Sequence, residues 1–260
     1  MAKKTDLEIA ESSHRYTDPR TGERVTSVTT IVGAFDSGNK LGAGAYAAVK
    51  IEREGGKYED EWGAKRDIGS RVHSYADLWL KGKTAEVPND DRPWMDAFAA
   101  WCRKVKPEWI AAEAAGVGSA ICMGCAGEGC AVCKGVGKLG FGGRFDGLGW
   151  WEEAFHLGDF KTGRHYRPEL TIQLAGYANF DGLIKYDENG RAVDLEPLPF
   201  VDKWCGIYIR PEGVEVIECP DSGKVADDWT LEDMRKEAYE TFRSLLYVKE
   251  WAKQIDRKGR

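Results

Sequence analysis

The segment GFGGRFDGLGWWEEAFHLGDFKTG, residues 140–163, constrains the fold more than any other part of the chain. It reads as two strands turning near Glu152-Glu153, with enough aromatic and aliphatic residues to lie in the interior of a sheet. Within that apolar run sit Asp146, Asp159 and Lys161. A buried charge costs several kcal/mol unless it is paired, hydrogen-bonded or bound to a metal, so these groups must meet one another or an ion. The side-chain period of a strand is two, which sends Asp159 and Lys161 to one face and Phe160 into the opposite layer. Asp146 comes alongside if the two strands pair.

The rest of the chain alternates strand and helix signals. Residues 14–32, HRYTDPRTGERVTSVTTIV, read as a short hairpin about Asp18-Pro19-Arg20-Thr21-Gly22, followed by a β-branched stretch. From about 41 to 82 the pattern is helical, with Ile68, Val72, Tyr75, Ala76 and Trp79 on one apolar face. His73 and Asp77 lie beside that face, four residues apart and so on one side of the helix. Residues 91–104 predict a second helix with a stripe of Trp94, Phe98 and Trp101. RPELTIQLAGYANFDGLI predicts a helix with Pro168 in its first turn, and KWCGIYIRPEGVEVIEC a hairpin about Pro211-Glu212-Gly213. The last helix opens on Thr230-Leu231-Glu232-Asp233, which resembles a capping box, and turns Leu231, Met234, Ala238, Phe242, Leu245 and Trp251 toward one face. Only DRKGR at the end reads as a tail. This order of elements predicts an α/β fold, a central mixed sheet flanked by helices.

Four of the seven cysteines fall between residues 122 and 133. The N-terminus, MAKKTDLEIAESSH, has no apolar core of a secretory signal, and no apolar run approaches a membrane span, which predicts a cytoplasmic protein with no membrane partner. In that compartment crowded cysteines favour metal over disulfides. Cys122-Met-Gly-Cys125-Ala-Gly-Glu-Gly129 and Cys130-Ala-Val-Cys133-Lys-Gly-Val-Gly137 form a tandem C-x-x-C-x-G-x-G, in which each knuckle turns two thiolates toward one point. Four thiolates close a tetrahedral shell, so the expected ligand is structural Zn²⁺, with an iron–sulfur cluster as the alternative. Cys102, Cys205 and Cys219 read as ordinary core thiols. Gly137-Lys138 does not make a phosphate-binding loop, because Val132 and Leu139 stand where that motif needs glycine and a hydroxyl residue.

A net charge of −6 argues against a protein that coats nucleic acid through a global basic field, but not against a nuclease. Clustered carboxylates suit a divalent metal, and phosphate contacts can come from a local patch such as Lys161, Arg164, His165 and Arg167. Asp146 and Asp159 together can hold Mg²⁺ or Mn²⁺, which prefer hard oxygen ligands. A lone D-x-K triplet is more often a solvated ion pair. Its surroundings decide.

Gly142-Gly143-Arg144-Phe145-Asp146, then Asp159-Phe160-Lys161-Thr162-Gly163, then Gln173 with Tyr177, preceded by Gly69-Ser70-Arg71-Val72-His73, together resemble the PD-(D/E)XK nuclease superfamily. The resemblance is closest to its RecB-like exonuclease branch, which includes phage exonucleases and CRISPR-associated RecB-like nucleases, and runs from about residue 14 to 180. It implies a restriction-endonuclease-like core. It further implies that His73, Asp146 and Asp159 are ligands of the catalytic Mg²⁺ or Mn²⁺, joined by the Phe160 carbonyl, that Lys161 is the catalytic lysine, and that Gln173 and Tyr177 belong to a Q-x-x-x-Y helix associated with the site and with DNA. Many relatives carry glutamate where this chain has Asp77, and Glu113 is a weaker candidate for the metal. The cysteine pattern is similar to DnaJ-type zinc modules; iron–sulfur relatives split their cysteines between distant parts of the chain.

The expectation is therefore one nuclease domain over 1–260 with a zinc-knuckle insertion at 116–140, beside the active-site cleft. Its implied activity is a metal-dependent DNA exonuclease of phage recombination or replication, in the host cytoplasm, with DNA and a single-strand annealing or recombination protein as partners. A nicking or structure-specific endonuclease, and a non-catalytic DNA-binding adaptor, are the alternatives.

Overall fold

The computed structural model describes residues 15–35, 53, 57–163, 168–220 and 229–258. Of the expected features, the start of the helix before residue 57, the cations Arg164, His165 and Arg167, and the last two residues of the tail lie outside the described residues.

The first hairpin forms as expected. Strands β1 (Tyr16–Thr17) and β2 (Arg24–Ser27) pair antiparallel, and the Asp18 carboxylate accepts from the Arg20 backbone N–H at 2.9 Å. The β-branched stretch that follows is a short helix, α1 (Val28–Val32). Ser27 caps it, its hydroxyl accepting from the Thr30 N–H at 3.2 Å, and Val28, Ile31 and Val32 are buried in the main core. The cap and the core burial override the weak helix propensity of valine, isoleucine and threonine.

Helices α2 (Tyr58–Leu80) and α3 (Arg92–Val105) come next. Arg71 of α2 grips the buried Asp91, which precedes α3, through a two-pronged pair at 2.6 and 2.8 Å. Val72 and Ala76 are buried as expected, but Trp79 is 46% exposed.

Strands β3 (Glu108–Ile121), β4 (Lys138–Trp151) and β5 (Ala154–Lys161) form the centre of the sheet. Glu152 and Glu153, both at positive φ (48° and 62°), make the tight β4–β5 turn. β3 lies in an alanine- and glycine-rich stretch that carries no strand signal of its own. Its apolar volume comes from neighbours: a Cβ on Gly116 would lie 2.3 Å from the Phe180 ring, and one on Gly118 would lie 2.5 Å from Phe141.

Helix α4 (Pro168–Ala178) is shorter than the pattern implies, and residues 182–186 leave it as strand β6 (Gly182–Tyr186). The Asn179 side chain donates to the Ala175 carbonyl at 2.9 Å, and Asp181 N–H donates to Val117 O of β3 at 2.8 Å, so the chain is drawn onto the sheet before another helical turn can form. β7 (Ala192–Glu196) forms an edge. The hairpin of β8 (Lys203–Arg210) and β9 (Gly213–Cys219) turns where expected, and α5 (Leu231–Lys258) opens on reciprocal bonds of 3.1 Å between Thr230 and Asp233. Met234, Ala238 and Phe242 are buried on its inner face, whereas Trp251 is 48% exposed.

The fold is α/β. The mixed sheet runs β7-β6-β3-β4-β5-β8-β9, antiparallel except for β5·β8 and for β2, which joins β4 in parallel. Phe160, Ile207 and Ile209 pack with Val72 and Phe98 of α2 and α3, while Phe141, Phe145, Leu157 and Tyr208 pack with Leu170, Leu174 and Phe242 of α4 and α5. β5 and β8 are buried along nearly their whole length, as strands covered on both faces must be. β4 changes partner partway along: it pairs with β2 at Phe141 and Gly142 and with β5 only from Gly147 onward. Between those rungs the sheet forks, and there the cleft opens. No helix among the described residues is long and apolar enough to cross a membrane.

Candidate active site

At the fork, α2 supplies His73, β3 Glu113, β4 Arg144 and Asp146, β5 Asp159 and Lys161, and α4 Gln173 and Tyr177, all lining one cleft of about 770 Å³. Asp146 and Asp159 are 7% and 3% exposed, so both carboxylates depend on protein partners or an ion. Asp146 Oδ1 lies 3.4 Å from His73 Nδ1, and its Oδ2 accepts from the Phe160 N–H at 2.5 Å. That N–H is free for a side chain because the β4–β5 ladder ends two residues earlier, at Gly147↔Gly158. A residue's N–H and C=O leave an extended strand at the same edge, so the Phe160 carbonyl faces Asp146 as well. Its ring packs the other way, edge-on to His73 at 6.1 Å and to Phe98 at 5.4 Å.

Asp159 is held from two sides. Its Oδ1 accepts from Gln173 Nε2 at 3.0 Å, and its Oδ2 accepts from the Lys161 ammonium. The same Gln173 nitrogen lies 2.9 Å from the hydroxyl of Tyr177, one helical turn on. The expected set of His73, Asp146, Asp159, Lys161, Gln173 and Tyr177 is therefore gathered in one place. Asp77 also lines the cleft but is paired with Lys81 at 2.7 Å.

Glu113 was underrated by sequence reasoning, and Arg144 was given no role. Glu113 falls between the rungs Ala112↔Gly147 and Ala114↔Phe145, directly opposite Asp146, and its backbone is left-handed at φ 50°. Such a conformation costs a non-glycine residue on the order of 1 kcal/mol or more and clusters at functional sites. Glu113 Oε2 pairs with Arg144 Nε at 2.6 Å. The signal that could have found the pair is Arg144-x-Asp146, which the strand period puts on one face.

The electrostatics follow from crowding three acids in a poorly solvated fork. Burial drives Glu113 up to about 7, helped by the charge of Asp146 and opposed by Arg144. Asp146 is lowered: burial would raise it, but the His73 charge and hydrogen bond, Lys161 and the Phe160 N–H prevail. Asp159 is raised, because burial and the Asp146 charge together outweigh Lys161. Lys161 and His73 are both raised; burial lowers each, and the acids overcome it. One ligand atom each from His73, Glu113 and Asp146 lie within 4.8 Å of one another, a spread that an ion with bonds of about 2.1 Å can draw together. This triad can hold a metal.

The four clustered cysteines form a second centre, at the tip of the β3–β4 hairpin. The Sγ atoms of Cys122 and Cys130 are 3.8 Å apart, and those of Cys125 and Cys133, and of Cys130 and Cys133, 3.7 Å. A tetrahedron with metal–sulfur bonds of about 2.3 Å has edges of about 3.8 Å, so the cage fits a single ion such as zinc. The two knuckles repeat one backbone: Ala126, Gly127 and Gly129 take positive φ in the first, Lys134, Gly135 and Gly137 in the second. Gly129 N–H points to Cys125 Sγ at 3.2 Å and Gly137 N–H to Cys133 Sγ at 3.3 Å. Burial raises the Cys133 thiol, but the N–H donors of Cys130 and Gly137 overcome it and hold it near 6, which favours the thiolate a metal needs. The base of the 116–140 segment borders the cleft, Gly116 pairing with the lining Gly143, while the cysteine loop itself stands away from it, with none of residues 122–137 in its lining. Lys138 and Asp146 are eight residues apart on β4, about 26 Å. The knuckle packs instead on α5, with Ser244 Oγ 3.3 Å from Met123 Sδ and Gly124 against Tyr247.

No family model and no curated protein matches the chain. Among solved structures, the crystal structure of SSO0001 aligns at 12% identity over 86% of this chain and 76% of that one, with a TM-score of 0.33. A likeness that slight carries no argument on fold or function.

Proposed function

We propose that the protein is a metal-dependent deoxyribonuclease of the PD-(D/E)XK type, an exonuclease serving phage recombination or replication. The observation that carries this reading is the convergence of His73, Asp146, Asp159, Lys161, Gln173 and Tyr177, from four separate elements, on one cleft at the fork of the sheet. Mg²⁺ or Mn²⁺, held by His73, Glu113 and Asp146, whose ligand atoms lie together, and joined by Asp159 and the Phe160 carbonyl, would polarise the phosphate and acidify water. The protein groups do the rest. Gln173, steadied by the buried Tyr177, aims the Asp159 carboxylate. Asp159 and Asp146 keep Lys161 protonated although burial opposes it, so its ammonium can offset the charge that gathers on phosphoryl oxygens under attack. Arg144, across the cleft, is a second cation within reach of a phosphate. In the cysteine cage the ion is Zn²⁺, because the thiolates stand 3.7–3.8 Å apart, the edge of one ion's tetrahedral shell, whereas an iron–sulfur cluster divides its four thiolates among two or four irons and spreads them wider.

The test is incubation of purified protein with end-labelled linear DNA and with covalently closed circular DNA, in Mg²⁺, Mn²⁺ or EDTA. Linear DNA shortening from its ends in metal, with the closed circle intact, supports the exonuclease. Nicking of the circle redirects the reading to an endonuclease, and binding without cleavage to an adaptor.

A further inference from the structure

A second cleft, of about 540 Å³, lies on the other side of the last turns of α2, between that helix and α3. Trp79, Tyr75, Val87 and Met95 give it an apolar lining, and Lys83 and Arg92 stand among them. Trp79 leaves nearly half of its surface in solvent, although its place on the helix reads as core. Lys83 and Arg92 are exposed and make no ion pair among the described residues, whereas Arg71 and Lys81 nearby are engaged with Asp91 and Asp77. Asp96 also lines the cleft, an acceptor for the exocyclic amino group of a base. An exposed aromatic ring flanked by unpaired cations is the chemistry that takes up single-stranded nucleic acid, bases on the ring and phosphates on the cations.

The two clefts share α2 and the turn after it: Ser74, Asp77, Leu78 and Lys81 face the first, Tyr75, Trp79 and Gly82 the second. Trp79 is six residues past His73, about 9 Å along the helix axis and on the other side of the helix, a separation that about two or three nucleotides of unpaired strand can span. We propose that the second cleft seats an unpaired DNA base, stacked on Trp79, two or three nucleotides from the bond cut in the first, so that the protein takes a frayed or single-stranded end. This rests on the nuclease reading for the position of the cut, but the binding itself can be measured without cleavage.

The experiment is the affinity of the full chain for a fluorescent single-stranded oligodeoxycytidylate, whose bases carry an exocyclic amino group, without Mg²⁺ or Mn²⁺, across a range of salt concentrations. Trp79→Ala should weaken binding about tenfold with the salt slope unchanged, the loss expected of one stacked base, and Trp79→Phe, which keeps a ring, should stay within about threefold of wild type. Lys83→Ala with Arg92→Ala should lower the salt slope by about 1.4, the value for two phosphate contacts on a single strand. Wild-type affinity in Trp79→Ala overturns the proposal, as does failure of the wild type to bind, whether or not the protein cuts DNA. Binding through Trp79 by a protein that cuts nothing upholds the base cradle and removes the nuclease reading instead.

Discussion

Gln173 ties the site together through one amide nitrogen, which serves both Asp159 and Tyr177. Tyr177→Phe removes only the hydroxyl from a ring that is 1% exposed, leaving the core filled. We expect a loss of about 0.5–1.5 kcal/mol in stability, read by urea unfolding, together with lower activity as Gln173 loosens its hold on Asp159. A Tyr177→Phe protein with unchanged stability and turnover would show that the contact carries nothing. His73 makes a different prediction, because imidazole suits Mn²⁺ better than Mg²⁺. His73→Ala should raise the Mn²⁺ concentration needed for half-maximal activity by more than it raises that for Mg²⁺. An unchanged Mn²⁺ titration would return His73 to a purely structural role. Asp159 and Lys161 were legible in the sequence through the strand period, whereas His73, Gln173 and Tyr177 were singled out by the resemblance to the PD-(D/E)XK pattern. Arg144 could have been read from its place two residues before Asp146, but Glu113 could not, because the strand pairing and the left-handed backbone that bring it opposite Asp146 leave no periodic trace.

At the scale of elements, the β3–β4 hairpin carries both centres, the cysteine cage at its tip and Glu113, Arg144 and Asp146 partway down. The cage closes the hairpin: Cys122 N–H donates to Gly137 O at 2.9 Å, next to the last rung at Ile121↔Lys138. Cys130→Ser should therefore lose the metal and destabilise residues from about 116 to 140, which elemental analysis and hydrogen exchange of that segment would show. Because Asp146 lies about 26 Å further along the strand, cleavage should fall less than stability does. Loss of zinc with unaltered exchange would contradict the role given to the cage. Hairpins marked by turn residues, at Glu152-Glu153 and at Pro211-Glu212-Gly213, were readable in advance. β3 was hidden by its alanines and glycines, and β6 by the helical pattern running into it, because in both the decisive contacts come from distant strands and rings. Trp79 and Trp251 fit helical stripes by spacing yet are about half exposed, since periodicity gives a face but not what covers it.

For the whole molecule, the two centres differ in hardness, carboxylates and imidazole in one and thiolates in the other, and should not exchange ions. Brief EDTA treatment should stop cleavage, and added Mg²⁺ should restore it while about one zinc per chain stays bound. Zinc leaving as fast as activity would place both functions in one centre. The mixed sheet and its flanking helices were foreseeable from the order of elements; the fork was not, since it arises where β4 changes partner from β2 to β5. The fork is what leaves two buried aspartates facing a cleft rather than a neighbouring strand. The central claim is that these aspartates hold the metal that cuts DNA, and the most direct measurement is the cleavage of end-labelled linear DNA in Mg²⁺ by Asp146→Ala and by Asp159→Ala, each checked for a folded state by circular dichroism. The account predicts loss of cleavage in both with the fold retained; cleavage at the wild-type rate by either variant would contradict it.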